Sequence, residues 1–169
     1  MGLAKLTNLT FAYLENGSEL DSYNSRSYKL RVELKDFLSP DSIVQATYSN
    51  FHVSPKKDNY KLFVMNWLEN STLSDALIDD HHGMNFRTQY TTPHNEFDCP
   101  AARGNSGWWF PMVTHHFCGK VNLNGKFYER TNEMGILESI EFPDKGIYWE
   151  EKPIGKEITL KSVVMAIYR

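Results

Sequence analysis

The chain has 169 residues, of which 41% are hydrophobic and 23% charged, a composition typical of one globular domain that can bury a sizeable core. Its formal charge is -3, with no long run of either sign, which disfavours a nucleic-acid-binding surface built from clustered lysine and arginine. The sequence has no apolar stretch of the length that crosses a membrane, and its first residues do not show the pattern of an export signal.

The first elements along the chain are two predicted strands. Residues 28–35 alternate apolar and charged side chains, the period-two pattern of a half-buried strand. A turn is expected over residues 36–41, and the alternating residues 44–53 predict a partner strand. Together they predict a hairpin with one face exposed to water.

A second group of elements follows this hairpin. Residues 60–65 form a short apolar run that predicts a more buried strand. Within residues 70–77, Ser71 or Thr72 is expected to cap a short helix, with Asp75 in its first turn. The segment is short, so helix is expected to be a minor component.

The rest of the sequence is rich in predicted loops until its last residues. Residues 81–155 contain many glycine, asparagine, proline and aromatic residues without periodicity, whereas residues 157–168 return to a strand-like composition. A terminal strand normally docks into a sheet formed earlier in the sequence. The sequence therefore predicts an α+β fold of mostly antiparallel sheet, with short helices and a long loop-rich C-terminal binding region.

Three Asn-x-Ser/Thr sequons point to the outside of the cell. The predicted glycosylation sites are Asn8, Asn16 and Asn70, each in a polar stretch suited to a surface loop. Two cysteines alone do not decide the compartment, because one pair can also be reduced thiols in the cytosol. In an extracellular protein, a disulfide between Cys99 and Cys118 would stabilise the fold by about 3 kcal/mol.

The densest functional signals lie between Cys99 and Tyr128. The two cysteines bracket a Gly-Trp-Trp-Phe step at residues 107–110, and Cys118 is followed by an Asn-Gly turn within residues 122–128. A cross-linked, aromatic, loop-built segment is more typical of a binding face than of a catalytic core.

A series of short motifs extends from the first strand to the last. They are residues 28–37 (YKLRVELKDF), 48–53 (YSNFHV), 59–62 (NYKL), 83–88 (GMNFRT), 107–110 (GWWF), 118 with 122–128 (C and NLNGKFY), 146–149 (GIYW) and 160–167 (LKSVVMAI). In this order they resemble the fibrinogen-related domain, the globular module of fibrinogen chains, ficolins, tachylectins, angiopoietins and tenascins. Members begin with a subdomain that has its own cysteine pair, for which this sequence has no counterpart. The expectation is a single domain over residues 1–169 without that subdomain.

The resemblance implies a calcium site formed by an Asp-x-Asp pair. The corresponding positions here are Tyr90 and Thr92, and neither side chain is a carboxylate. The remaining weak calcium candidates are Asn95, Glu96 and Asp98. The alternative is an ordinary solvated polar loop, and no cofactor is expected.

The family's ligand pocket lies beside this loop and next to the second cysteine. A histidine often follows that cysteine, whereas Gly119 holds the position here. The residues expected to line a ligand face are Trp108, Trp109, Tyr128, Phe142 and Tyr148. At least one of the two tryptophans is also expected in the core, because large aromatic side chains are mostly buried.

The histidines suggest an alternative hypothesis, a zinc site formed by three imidazoles. The imidazoles available are those of His81, His82, His94, His115 and His116. Adjacent histidines in an extended segment point in opposite directions, and the sequence has no zinc-protease or zinc-finger spacing. It also has no nucleophile elbow, phosphate-binding loop or dinucleotide fingerprint, so a non-enzymatic protein is expected.

The leading hypothesis is a secreted, lectin-like module that binds glycans or acetylated groups in innate recognition. The alternative is an adhesion or signalling ligand that docks a protein receptor through the same face. The loss of the pocket histidine and of the calcium carboxylates makes this alternative nearly as strong. Family members usually gain avidity by clustering, so a homo-oligomer is a further expectation.

Overall fold

The computed structural model describes residues 28–36, 41–92, 96–112, 117–128, 145–151, 156–157 and 160–169. Its strands and helices are β1 (Tyr28–Asp36), β2 (Val44–Val53), a 3-10 turn (Lys56–Asp58), β3 (Leu62–Trp67), α1 (Leu77–His81), α2 (Cys99–Ala102), β4 (Val121–Asn122), β5 (Tyr148–Glu151), β6 (Lys156–Glu157) and β7 (Leu160–Tyr168). The predicted α+β class, mostly antiparallel sheet with short helices, is confirmed. No helix in these ranges is long and apolar enough to cross a membrane.

The main sheet has four strands in the order β3-β2-β1-β7, each antiparallel to its neighbours. In β1, Leu30 lies opposite Tyr48 of β2 on one side and opposite Ile167 of β7 on the other. Both predicted pairings, the hairpin and the docked terminal strand, are confirmed. The last strand is thereby hydrogen-bonded to the first described strand.

One face of the main sheet forms the core. Leu30, Val32 and Leu34 alternate along β1 and are fully buried. The opposite face of the same strand carries Arg31 and Glu33, whose partly exposed side chains form an ion pair at 2.8 Å. The period-two pattern of the sequence therefore separates the core side of this strand from its polar side.

A smaller sheet supports the C-terminal loop region. Its strand order is β4-β5-β6, and Val121 of β4 pairs with Trp149 of β5. Both side chains are completely buried, in the same apolar cluster as the core residues of the main sheet. Because β4 begins three residues after Cys118, this shared core holds the loop region against the main sheet.

The predicted helix cap at Ser71 or Thr72 is wrong. The Ser71 hydroxyl accepts a hydrogen bond from the Thr47 amide at 2.9 Å, and the Thr72 hydroxyl accepts one from the Gln45 amide at 2.7 Å. Both hydroxyls therefore bind the backbone of β2 instead of capping a helix. The helix begins later, at Leu77.

The third strand is shifted relative to its prediction over residues 60–65. It runs from Leu62 to Trp67. Asn59 and Tyr60 are consecutive residues with φ angles of 57° and 52°, in the left-handed region and not in the extended conformation that starts a strand. The backbone reversal after the 3-10 turn therefore delays the start of the strand.

Asp75 joins α1 to the main sheet. One carboxylate oxygen, Oδ1, accepts hydrogen bonds from the Ile78 amide and the Tyr48 hydroxyl, each at 3.1 Å. Burial and the nearby carboxylate raise the pKa of the Tyr48 hydroxyl, so the group stays protonated and donates.

We expect Asp75→Ala to lower the free energy of unfolding by about 2–3 kcal/mol, because it removes a helix-end acceptor and leaves a buried hydroxyl unpaired. Asp75→Asn keeps an oxygen acceptor and serves as the matched control, with a loss below about 1 kcal/mol. Urea unfolding measures both values. Equal losses in the two variants would contradict the assigned role.

Candidate functional site

The loop region is closed by a disulfide between Cys99 and Cys118, whose Cα atoms lie 5.5 Å apart. The predicted cysteine pairing is thus confirmed, and both residues are buried. Cys99 begins α2, where the Asp98 carboxylate accepts a hydrogen bond from the Ala101 amide at 3.1 Å. One end of the bridge is therefore fixed by a capped helical turn.

Trp108 and Trp109 lie under this loop. Their side chains are only 1% and 3% exposed, and the two rings make an edge contact at 5.1 Å between centroids. The Trp109 indole N–H donates to the Tyr60 carbonyl at 2.7 Å, while the Trp108 backbone exchanges two hydrogen bonds with Arg87. The Trp109 indole and the Trp108 backbone therefore attach this segment to residues 60 and 87. The two rings, predicted as parts of a ligand face, leave almost no surface for a ligand.

His81, the last residue of α1, connects three segments in the core. Its Nδ1 lies 2.8 Å from the Trp109 carbonyl oxygen, and its Nε2 lies 3.1 Å from the Val121 amide. Nε2 must accept from the amide, so Nδ1 carries the proton and donates to the carbonyl. Burial lowers the pKa of His81 to about 4, with smaller opposing effects from Trp109 and Asp80.

Gly119 forms the turn directly after the disulfide. Its φ is +85°, and an added Cβ would lie 2.5 Å from Cε1 of His81. The Tyr148 hydroxyl donates to the Gly119 carbonyl at 3.0 Å and is itself buried. Tyr148, another predicted ligand residue, therefore holds this turn in place from below.

The remaining predicted ligand residues are Tyr128 and Phe142. Tyr128 is 5% exposed, with the Lys126 ammonium 5.2 Å from its ring centroid, and Phe142 lies outside the described residues. The structure thus buries the four described ligand candidates, of which Tyr148 binds the turn at Gly119 and Trp109 binds His81 beside it.

Sequence reasoning missed the apolar side chains that reach solvent in this region. They are Tyr90, Met112, Phe117 and Phe127, which are 93%, 66%, 45% and 52% exposed. We call these four residues the rim. The alternation of exposed Phe127 with buried Tyr128 was the one available signal, because neighbours in an extended segment point to opposite sides.

Three links hold the rim segments together. The disulfide joins residue 118 to residue 99, the Arg87–Trp108 backbone pairing holds the segment before Tyr90, and the Asn124 side-chain amide donates to the Gly107 carbonyl at 2.7 Å. The rim is therefore carried by a cross-linked, well-packed loop.

The two calcium candidates that the structure describes, Glu96 and Asp98, already have protein partners. Glu96 forms an ion pair with Arg87, Asp98 caps α2, and Asn95 lies outside the described residues. In the part of the protein that the structure describes, no group of three or more histidine, cysteine, aspartate or glutamate residues is arranged to hold a metal ion.

The zinc candidates His81 and His82 likewise already have hydrogen-bond partners in the protein. Both ring nitrogens of His81 bind backbone groups, and Nδ1 of His82 lies 2.8 Å from the Val64 carbonyl oxygen. His94, His115 and His116 lie outside the described residues.

Among the sequons, only Asn70 is described. It is exposed in the turn after β3, as a glycosylation site requires, while Asn8 and Asn16 lie outside the described residues. Glycosylation of all three stays a prediction.

The sequence matches a family model described as fibrinogen beta and gamma chains, C-terminal globular domain, over residues 13–168. Human angiopoietin-1 is 32% identical over 119 residues, which cover 70% of this chain and 22% of angiopoietin-1. The match therefore spans less than a quarter of that relative's length.

Solved structures show the same fold. The fibrinogen-like globe domain of human ANGPTL2 is 27% identical with a TM-score of 0.67, covering 98% of this chain and 63% of that one. A lamprey fibrin D-dimer complexed with the peptide Gly-His-Arg-Pro-amide is 26% identical with a TM-score of 0.66, covering 99% of this chain and 49% of that one.

The neutral His81 makes the fold sensitive to acid. The unfolded histidine binds a proton near pH 6.5 but the folded one, whose pKa is lowered, only near pH 4, so stability falls as the pH drops from about 6.5 to about 4. The loss approaches roughly 3 kcal/mol at the lower end of this range. Below about pH 4, His81 adds no further pH dependence to the stability.

Urea unfolding across this pH range tests the assignment. We expect His81→Gln to be less stable than the wild type at neutral pH, and its free energy of unfolding to fall less steeply as the pH is lowered. The pH dependence that remains includes the contribution of His52, whose pKa is also lowered by burial. His82→Gln leaves His81 in place and keeps the steeper dependence. Identical slopes for wild type and His81→Gln would refute the role of this imidazole.

The turn at Gly119 gives a second prediction. Gly119→Ala combines a left-handed φ with a collision against His81, so we expect a loss of roughly 2–4 kcal/mol. Gly83→Ala is the matched control, because Gly83 has a φ of +75° but nothing within 4 Å of an added Cβ. We expect that change to cost only about 1 kcal/mol in urea unfolding. The prediction fails if Gly83→Ala is the more damaging change.

Proposed function

Since this protein belongs to the family of the C-terminal globular domains of fibrinogen beta and gamma chains, we propose that it is an extracellular, non-enzymatic recognition domain that binds a protein partner through the rim. The family predicted from the motif series is confirmed. The domain would act as an adhesion or signalling ligand. This proposal is carried by one observation, the cross-linked loop region whose described segments expose aromatic side chains and a methionine.

The composition of the rim suits a protein interface. Aromatic residues and methionine are enriched in such interfaces, and a few large side chains usually supply most of the binding free energy. Phe117 and Phe127 are half-exposed, and Phe117 directly precedes the disulfide. A loop already held in shape loses little conformational entropy on binding, which favours affinity.

A related structure supports a polypeptide as the ligand. The lamprey fibrin D-dimer is complexed with the peptide Gly-His-Arg-Pro-amide, so a protein that contains this fold can bind a short polypeptide. The predicted glycan face, in contrast, depended on five rings, of which the four that the structure describes are buried. A protein or peptide partner therefore fits the exposed surface better than the ligand face predicted from the sequence.

An extracellular location fits two features of the described residues. The Cys99–Cys118 disulfide is the kind of cross-link that persists in oxidising compartments, and the Asn70 sequon is exposed. The disulfide would form, and the Asn70 sequon would be glycosylated, during passage through the secretory pathway.

The second candidate is the lectin-like function, binding of a glycan or an acetylated group in innate recognition. The exposed rings of Tyr90 and Phe127 favour it, because an aromatic ring offers an apolar surface to a sugar or an acetyl methyl group and the tyrosine adds a hydroxyl. In that case the ligand would contact the rim and not the buried tryptophans.

One binding experiment separates the two candidates. The tagged protein is applied in parallel to an array of receptor ectodomains and to an array of N-acetylated glycans. We expect saturable binding to an ectodomain, and we expect the double variant Phe117→Ser/Phe127→Ser to weaken it by about 10-fold or more. The matched control is Ile43→Ser, since Ile43 is equally exposed, at 52%, in the connection between β1 and β2.

The outcomes are distinct. Retention on glycans with elution by free N-acetylated sugar would replace the protein-partner proposal with the lectin-like function. Equal weakening by the Ile43 control and the rim variant would show that the rim is not the binding surface.

A further inference from the structure

Arg87 and Glu96 form an ion pair inside the loop region. Their side chains are only 7% and 12% exposed, and Nη1 of Arg87 donates to Oε2 of Glu96. The backbone of Arg87 is itself fixed, because its amide donates to the Trp108 carbonyl at 2.9 Å and its carbonyl accepts from the Trp108 amide at 3.1 Å. The pair therefore links the segment that contains Glu96 to a rigid part of the core.

The described residues between these two partners, 88–92, do not form a calcium ligand set. Calcium prefers six to eight oxygen ligands, including carboxylates. Tyr90, at one of the positions implied by the family resemblance, is 93% exposed and brings no carboxylate. Thr92, at the other, donates its hydroxyl to the Thr88 carbonyl at 3.3 Å.

Hydroxyl groups close this turn without a cation. The Thr91 hydroxyl accepts from the Thr88 amide at 2.8 Å and donates to the Thr88 carbonyl at 3.2 Å. The carbonyl of Thr88 also accepts the backbone amide of Thr91 at 2.9 Å. The Thr88 carbonyl and the hydroxyls of Thr91 and Thr92 are thus already hydrogen-bonded within the turn.

The charge of Arg87 opposes calcium as well. A guanidinium is permanently charged, and a buried charge is tolerated only when it has a partner. A calcium ion that took the Glu96 carboxylate would leave Arg87 buried without its counter-charge and would add a second positive ion nearby.

We propose that the Arg87–Glu96 ion pair orders the loop segments 87–92 and 96–98 in this protein, in the place of the calcium ion that the family resemblance implies. Arg87 is thus a positioning residue that holds the loop segment leading to Tyr90. The loop is ordered with or without calcium. Where the rim is the binding surface, as the proposed function has it, binding through the rim is calcium-independent as well.

Calcium itself provides the first test. We expect saturating calcium and a chelator to give the full-length protein the same melting temperature and the same hydrogen exchange in the peptide that covers residues 86–92. A saturable rise in melting temperature with calcium, or faster exchange after chelation, would overturn the proposal.

Removal of one partner provides the second test. Glu96→Gln leaves a buried guanidinium unpaired, so we expect the melting temperature to fall by roughly 10 °C. We also expect at least about 10-fold faster exchange of the Arg87 and Trp108 amides. Glu33→Gln is the matched control: it breaks the exposed Arg31–Glu33 pair, whose side chains are 43% and 25% exposed. That change is expected to shift the melting temperature by less than about 2 °C.

A double variant keeps the test valid if Glu96→Gln folds poorly. Arg87→Met/Glu96→Gln removes both charges, so it is expected to recover at least half of the lost melting temperature, because no unpaired charge remains. The proposal fails if Glu96→Gln behaves like Glu33→Gln, or if the double variant is no better than the single one. None of these readouts requires a binding partner, so failure here is separate from failure of the proposed function.

Discussion

The loop region depends on one buried, neutral imidazole. His81 lies at the end of α1, donates to the Trp109 carbonyl and accepts from the Val121 amide, so a single ring satisfies backbone groups of two otherwise separate segments. These groups lie on either side of the disulfide at Cys118 and would be costly to bury unpaired. The same ring occupies the space beside Gly119, which is why the turn after the disulfide has no room for a side chain. The covalent bridge closes the loop, but the imidazole fixes where it sits on the core.

The main sheet was predictable because its signals are local. The alternation over residues 28–35 tells which side of β1 is buried without any knowledge of its neighbours. The side chains that support the loop carry no such local signal. His81, for example, hydrogen-bonds to Trp109 and Val121, which follow it in the sequence by 28 and 40 positions. For the same reason the hydroxyls of Ser71 and Thr72 suggested a helix cap, although their partners lie on β2. Side chains that bind distant backbone groups look, in sequence, like caps, ligands or solvated loops.

Trp108 and Trp109 illustrate a second limit of sequence reasoning. A pair of tryptophans in a disulfide-closed loop suits a binding face and a core equally well, because both environments favour large aromatic rings. What decides between them is the burial of both rings, together with the hydrogen bonds of the Trp109 indole and of the Trp108 backbone. The Trp109 indole N–H finds the Tyr60 carbonyl in the interior, and the Trp108 backbone pairs with Arg87. The proposed binding surface is therefore displaced from the rings that the sequence emphasised to the less conspicuous Phe117 and Phe127.

These internal pairings also determine what kind of surface remains. The imidazole of His81 is held neutral because burial lowers its pKa, the charge of Arg87 is balanced by Glu96, and the Tyr148 hydroxyl is used by Gly119. Because these polar groups have partners inside the loop region, the apolar side chains of the rim lie on described segments that internal contacts hold in place. Interface centres in protein complexes are likewise poor in charge and rich in aromatic residues. The interactions that hold the described loop segments are thus the same ones that leave the rim exposed for the proposed protein partner.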